Sequence, residues 1–113
     1  MCQRASGGAF LPYASYDTAQ VRFTRIEPTR YRSSPEAFRG FCSKCGSSIY
    51  FAYDAEPQRI WMTLGCFDDA AAHKPTEDWY TRAKLPWVRL DDQLTHWPGP
   101  PGWVAELTGR SGE

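Results

Sequence analysis

The stretch Phe41-Cys42-Ser43-Lys44-Cys45-Gly46 constrains this chain more than any other. Two thiols two residues apart fit on one tight turn and can face the same tetrahedral ion, and a glycine directly after them lets the backbone fold back. The next segment, Ser48-Ile49-Tyr50-Phe51-Ala52-Tyr53, is β-branched and aromatic and reads as a strand. A redox pair of this spacing uses the opposite arrangement, with its first cysteine at the N-terminus of a helix that lowers the thiol pKa. Turn followed by strand therefore favours a metal knuckle over redox chemistry, and over two incidental small apolar residues. A closed structural site takes four ligands, yet the only other cysteines are Cys2 and Cys66, and no second Cys-x-x-Cys exists.

At 113 residues the chain is one small domain with little stability to spare from burial alone, so a metal staple would help it. Lys plus Arg and Asp plus Glu both number 13, and this balance gives no global field for nucleic acid or an anionic membrane. Small neutral partners suit it better. No apolar run is long enough to span a bilayer and no signal-peptide pattern opens the chain, so the expected location is cytoplasmic, with reduced cysteines.

An aromatic fraction of 15%, with nine Pro and nine Gly, predicts a mainly β protein of antiparallel strands. Strands are expected within Phe10 to Tyr16, over Val21 to Arg25, which alternates with period two, and over Thr29 to Ser33. Ser34 to Ala37 reads as a turn. Ser48 to Tyr53 and Gln58 to Leu64 read as a hairpin across Asp54-Ala55-Glu56-Pro57. Residues up to about Gly8 read as loop, and the one expected helix is Phe67 to Ala72, with an aspartate cap and a stop before Pro75. Trp79-Tyr80 and Trp87 to Leu90 are expected as extended aromatic segments near the core. The expected domain covers 1–97, followed by a Pro/Gly-rich tail, 98–113, frayed from Thr108 onward.

Other residues have plain structural readings. Asp68 and Asp69 are adjacent and read as a helix cap and a solvated neighbour rather than an acid–base pair. His73 and His96 lack metal-ligand spacing to the knuckle and read as surface histidines. Cys66 reads as a buried small hydrophobe, and most of the five tryptophans as core.

Cys2-Gln3-Arg4-Ala5-Ser6-Gly7-Gly8-Ala9-Phe10 and the knuckle together resemble the glutathione-dependent formaldehyde-activating enzyme family, which includes the relatives of centromere protein V. Leu64-Gly65-Cys66-Phe67-Asp68-Asp69, Pro75, Lys84-Leu85-Pro86-Trp87 and Asp91-Asp92-Gln93-Leu94 continue the likeness, which runs over roughly residues 2 to 97. The resemblance implies a β-tent fold and zinc as cofactor. It also implies a carbon–sulfur lyase activity in which a thiol such as glutathione adds to formaldehyde or another small aldehyde. Cys42 and Cys45 then match half of a structural zinc site, and Cys2 matches the last of three catalytic zinc ligands. Arg4 and Ser6 fall in the segment that would contact glutathione or the aldehyde oxygen. The remaining ligands of both sites would lie ahead of Met1, as in an N-terminally shortened member of the family. Three other readings stay open: a non-catalytic zinc-ribbon module that binds a protein, a single site of all four cysteines, and a relative of methionine sulfoxide reductase using Cys66.

Overall fold

The structure is a computed structural model, and it describes residues 1–109. Two compact units divide the chain, Met1–His73 and a second beginning at Lys74. Each is described by itself.

The first unit is built on one antiparallel sheet of five strands. These are β1 (Tyr13–Asp17), β2 (Thr29–Ser34), β3 (Ala37–Phe41), β4 (Ser48–Tyr53) and β5 (Arg59–Thr63), in the spatial order β1-β5-β4-β3-β2. The mainly β expectation, the turn at Pro35-Glu36 and the β4–β5 hairpin are all present, with Tyr50 opposite Met62 and Phe51 opposite Trp61. Register then sorts the side chains, because residues directly opposite share a face. Tyr50, Ala52 and Ile60 form the buried cluster on one face, joined by Tyr16, Phe38 and Met62. Tyr13, Arg39, Phe51, Trp61 and Thr63 share the other.

Gly40 is what lets the core ring lie flat. It pairs with Tyr50 on β4, and a Cβ built at Gly40 would fall 2.1 Å from the Tyr50 ring. Any larger residue would displace that ring, which also stacks on Phe23 and meets Phe38 edge-on.

Three sequence expectations change in this unit. Val21 to Arg25 is not a strand: after β1 a single 3-10 turn at Thr18–Gln20 redirects the chain, and Val21 and Phe23 pack on the Tyr50 cluster from irregular backbone. Their alternation reported burial, not strand pairing. The opening residues are helical rather than loop, forming α1 (Cys2–Ser6). A helix this short has no stability of its own, and contacts to the sheet hold it. The helix expected at Phe67 to Ala72 shrinks to a 3-10 turn at Ala70–Ala72. Asp69 does not cap it: its carboxylate meets His73 Nε2 at 3.3 Å, and the His73 ring stacks on Phe67.

In the second unit, β6 (Glu77–Asp78) and β7 (Thr95–His96) form a short parallel pair, followed by α2 (Gly102–Thr108). No sequence signal announces α2, because Pro98 to Gly102 reads as a breaker, but a proline just ahead of a helix occupies a position that needs no N–H partner. The part of the expected frayed tail from residue 110 lies outside the described residues. Glu77 organises the indoles, accepting from Trp79 Nε1 at 2.7 Å and Trp97 Nε1 at 3.3 Å, and Trp79 meets Trp103 edge-on. Two tryptophans expected in the core are exposed instead, Trp87 at 71% and Trp103 at 43%. The segment from Trp87 to Leu90 is loop rather than extended. No helix among the described residues is long and apolar enough to cross a membrane.

Candidate functional site

The sheet places the four cysteines in three environments. Cys2, half-buried at the start of α1, rests on the face that carries Tyr13 and Arg39. Arg39 Nη2 donates to Cys2 Sγ at 3.4 Å, Arg39 Nη1 donates to Tyr13 Oη at 2.8 Å, and Cys2 Sγ lies 3.9 Å from Tyr13 Oη. The guanidinium also sits 5.0 Å over the Phe51 ring, whose face favours a cation. Ser48 Oγ on β4 donates to Ala5 O at 3.2 Å and ties the far end of α1 to the sheet.

These contacts fix protonation states. Burial pushes the Tyr13 phenol pKa well above the usual range and the nearby Cys2 adds to this, while Arg39 opposes them. Burial works against the charge on Arg39, but its bonds to Cys2 and Tyr13 outweigh that penalty and hold the guanidinium charged. Burial thus favours the neutral Tyr13 phenol and the bonds favour the charged Arg39 guanidinium, and both side chains lie against the Cys2 sulfur. Neither residue was singled out in the sequence. The only available signal was Arg39 within the short Phe38-Arg39-Gly40-Phe41 run, and its partners depend on a strand register that the run does not encode.

Arg4 and Ser6 both lie on α1, as the sequence reading placed them near Cys2. Ser6 Oγ accepts from Gly8 N–H at 3.0 Å and donates to Gln3 O at 3.3 Å, so its hydroxyl closes the turn. Arg4 is exposed in the last turn of the helix.

The tight turn expected at Cys42 to Gly46 is present. Gly46 N–H donates to Cys42 O at 2.7 Å, Cys42 N–H to Ser47 O at 2.9 Å, and Gly46 adopts φ 79°, a left-handed conformation that glycine takes without strain. β4 follows at Ser48, so no helix points at the first thiol. Cys45 is exposed, 3.1 Å from Ser47 Oγ; bonds from the Ser47 hydroxyl and backbone, and then from Cys42, hold its thiol below the usual range.

Cys66 departs from the sequence expectation. It is exposed rather than buried, and its thiol donates to Ser48 O at 3.2 Å while accepting from Thr63 Oγ1 at 3.1 Å. Thr63 is the buried member of this pair, and Cys66 ends the 3-10 turn at Leu64–Cys66 that follows β5.

Thiolates suit zinc, so Cys42 and Cys45 have the right chemistry and the right turn for two positions of a tetrahedral site. The count is the difficulty. Among the described residues no group of three His, Cys, Asp or Glu side chains gathers to hold a metal, and Cys2 is engaged with Tyr13 and Arg39 instead. The described residues supply two thiols for a closed site and do not complete one. His96 has Asp78 as its partner, with Nδ1 2.7 Å from Oδ2.

The family model described as glutathione-dependent formaldehyde-activating enzyme matches residues 1–83, which span α1, the whole sheet, the knuckle and Cys66. No curated protein matches the chain.

Proposed function

The chain belongs to the glutathione-dependent formaldehyde-activating enzyme family, and on that premise we propose that it promotes addition of a thiol such as glutathione to formaldehyde or another small aldehyde. In that reaction the sulfur bonds to the carbonyl carbon, the C=O π pair moves onto oxygen, and the oxygen takes up the proton that the thiol gives up. The reverse step is a carbon–sulfur lyase reaction. The observation that carries this reading is the family match, which spans every element of the first unit.

The chain's own residues have consistent roles. Charge develops on the carbonyl oxygen as the bond forms, and fixed donors in a partly dry site stabilise such charge without reorganising. Tyr13 and Arg39 are a pair of that kind beside Cys2. Arg4, an exposed cation on the same helix, is the proposed contact for a glutathione carboxylate, and Ser6 shapes the turn that presents it. Zinc is the proposed cofactor, and when bound it would stabilise a thiolate or polarise a carbonyl. Cys42 and Cys45 are its proposed structural ligands and Cys2 its proposed catalytic ligand. Because the described residues leave these sites short of ligands, no step is routed through the metal. We read the sheet as a β-tent and the location as cytoplasmic, where four unpaired cysteines stay reduced.

The test is the rate at which glutathione and formaldehyde equilibrate with their adduct, followed by exchange NMR with and without the chain. Exchange faster than the spontaneous reaction, reduced in Arg39→Met, is the expected result. Exchange at the spontaneous rate, with stoichiometric zinc on the chain, would assign it instead as a non-catalytic zinc-ribbon module.

A further inference from the structure

The second unit carries a cavity of about 730 Å³, within the range of small-molecule sites. All but one of its lining residues, Thr81 being the exception, lie beyond residues 1–83, the part of the chain that the family model matches. Two devices hold its walls. Lys84 Nζ donates to Val88 O at 3.0 Å and Leu85 O at 3.5 Å, and Val88 N–H to Leu85 O at 3.0 Å, so the lysine clamps the loop that it begins. Tyr80, which directly precedes the lining residue Thr81, adopts φ 57°, costly for a residue with a side chain. Backbone bonds from Tyr80, Thr81 and Arg82 to the carbonyls of Gly99, Trp97 and Pro98 keep it there.

The lining has a definite chemistry. Trp87 is 71% exposed at the cavity, so its indole offers an open flat face. Arg89 also lines it and makes no hydrogen bond or ion pair among the described residues, whereas the charge of Lys84 is engaged by carbonyls. Asp92 is the one carboxylate in the wall, against two cations. His96 lines it as well, with Nδ1 held by Asp78, which leaves Nε2 as the ring nitrogen a ligand can meet.

We propose that this cavity binds a small carboxylate-bearing molecule with a flat apolar arm, the carboxylate on the Arg89 guanidinium and the arm on the Trp87 indole. A guanidinium pairs with a carboxylate through two parallel N–H donors, a geometry that a neutral amide cannot reproduce, and the indole adds area without needing a specific partner. His96 Nε2 supplies a further polar contact. This binding is separate from the thiol chemistry at Cys2, so either can fail without the other.

The experiment titrates the full chain with 4-phenylbutyrate and, separately, with its neutral amide, following the Trp87 indole N–H by NMR. A saturable shift with the carboxylate and none with the amide is expected. Arg89→Ala is expected to weaken binding by about tenfold. Asp92→Asn, which removes the opposing charge, is expected to tighten it by about twofold. No saturable shift at Trp87, equal binding of the amide, or unchanged affinity in both variants would each overturn the proposal.

Discussion

Two arginines on adjacent strands of the same sheet are used in opposite ways. Arg39 on β3 is half-buried, donates to a thiol and a phenol, and lies over an aromatic ring. Arg32 on β2 is exposed at the turn end of the sheet and forms a two-pronged pair with Asp54, at 2.6 and 3.1 Å. The geometry of the Arg32 pair is the better of the two, yet water screens it and competes for both partners. Arg39 has no carboxylate, but its partners are half-buried with it and have fewer alternatives. How much an arginine holds in place therefore depends on what its partners would lose without it, more than on how short its bonds are.

The largest expected effect breaks the comparison by damaging both ends together. Gly40 follows Arg39 on β3, and a Cβ there runs into the Tyr50 ring. Gly40→Ala should cost about 1–3 kcal/mol in urea unfolding, the usual range for forcing atoms into a packed core. Combining it with Tyr50→Ala should cost clearly less than the two single losses summed, because the second change removes the clash that the first creates. Strict additivity would show that the ring is not what excludes a side chain at Gly40.

Arg39→Met comes next and tests the buried end alone. It keeps the length of the side chain but leaves Tyr13 Oη and Cys2 Sγ without their shared donor, so a loss of roughly 1–2 kcal/mol in urea unfolding is expected. The pH dependence gives a second reading of the same site. Tyr13 has a folded pKa raised first by burial and then by Cys2. Folding therefore favours its neutral form, a contribution present in full below the ordinary tyrosine range and lost as pH rises through the higher folded value. With Arg39 gone the charge opposing that rise disappears, so tyrosinate absorbance should appear at still higher pH in the variant. Onset at lower pH would mean that the substitution opens the site to water.

The comparison also shows where the sequence was informative. β4, β5 and the knuckle were legible because local chemistry decides them: β-branched and aromatic runs, turn residues, and a glycine after two cysteines. The Cys2–Tyr13–Arg39 cluster was not, since it joins residues 37 apart through strand register and a helix too short to announce itself. Val21 and Phe23 misled for the complementary reason, because a two-residue period marks a buried face whether or not the backbone pairs. Cys66 misled as well: a small apolar residue after a strand reads as core, and only the 3-10 turn at Leu64–Cys66 puts its thiol in reach of Ser48 O. Trp87 followed composition into the expected core, although the clamp made by Lys84 holds its loop in solvent.

The smallest expected effect belongs to the exposed pair. Bonding to Arg32 is the main cause that holds the Asp54 carboxylate below its usual range, with partial desolvation opposing it. Folding therefore favours the ionised form, so the pair's contribution is present in full above the unfolded aspartate range. It is lost as pH falls through the depressed folded value, because the unfolded chain takes up that proton first. Arg32→Ala should lower the urea midpoint slightly at neutral pH. The gap from the parent chain should close in acid and also shrink in high salt, where exposed charges are screened. Arg39→Met should keep its deficit under both conditions, because its partners do not depend on a carboxylate. An Arg32→Ala deficit as large as that of Arg39→Met, or one that persists in acid, would show that exposure is not what separates the two arginines.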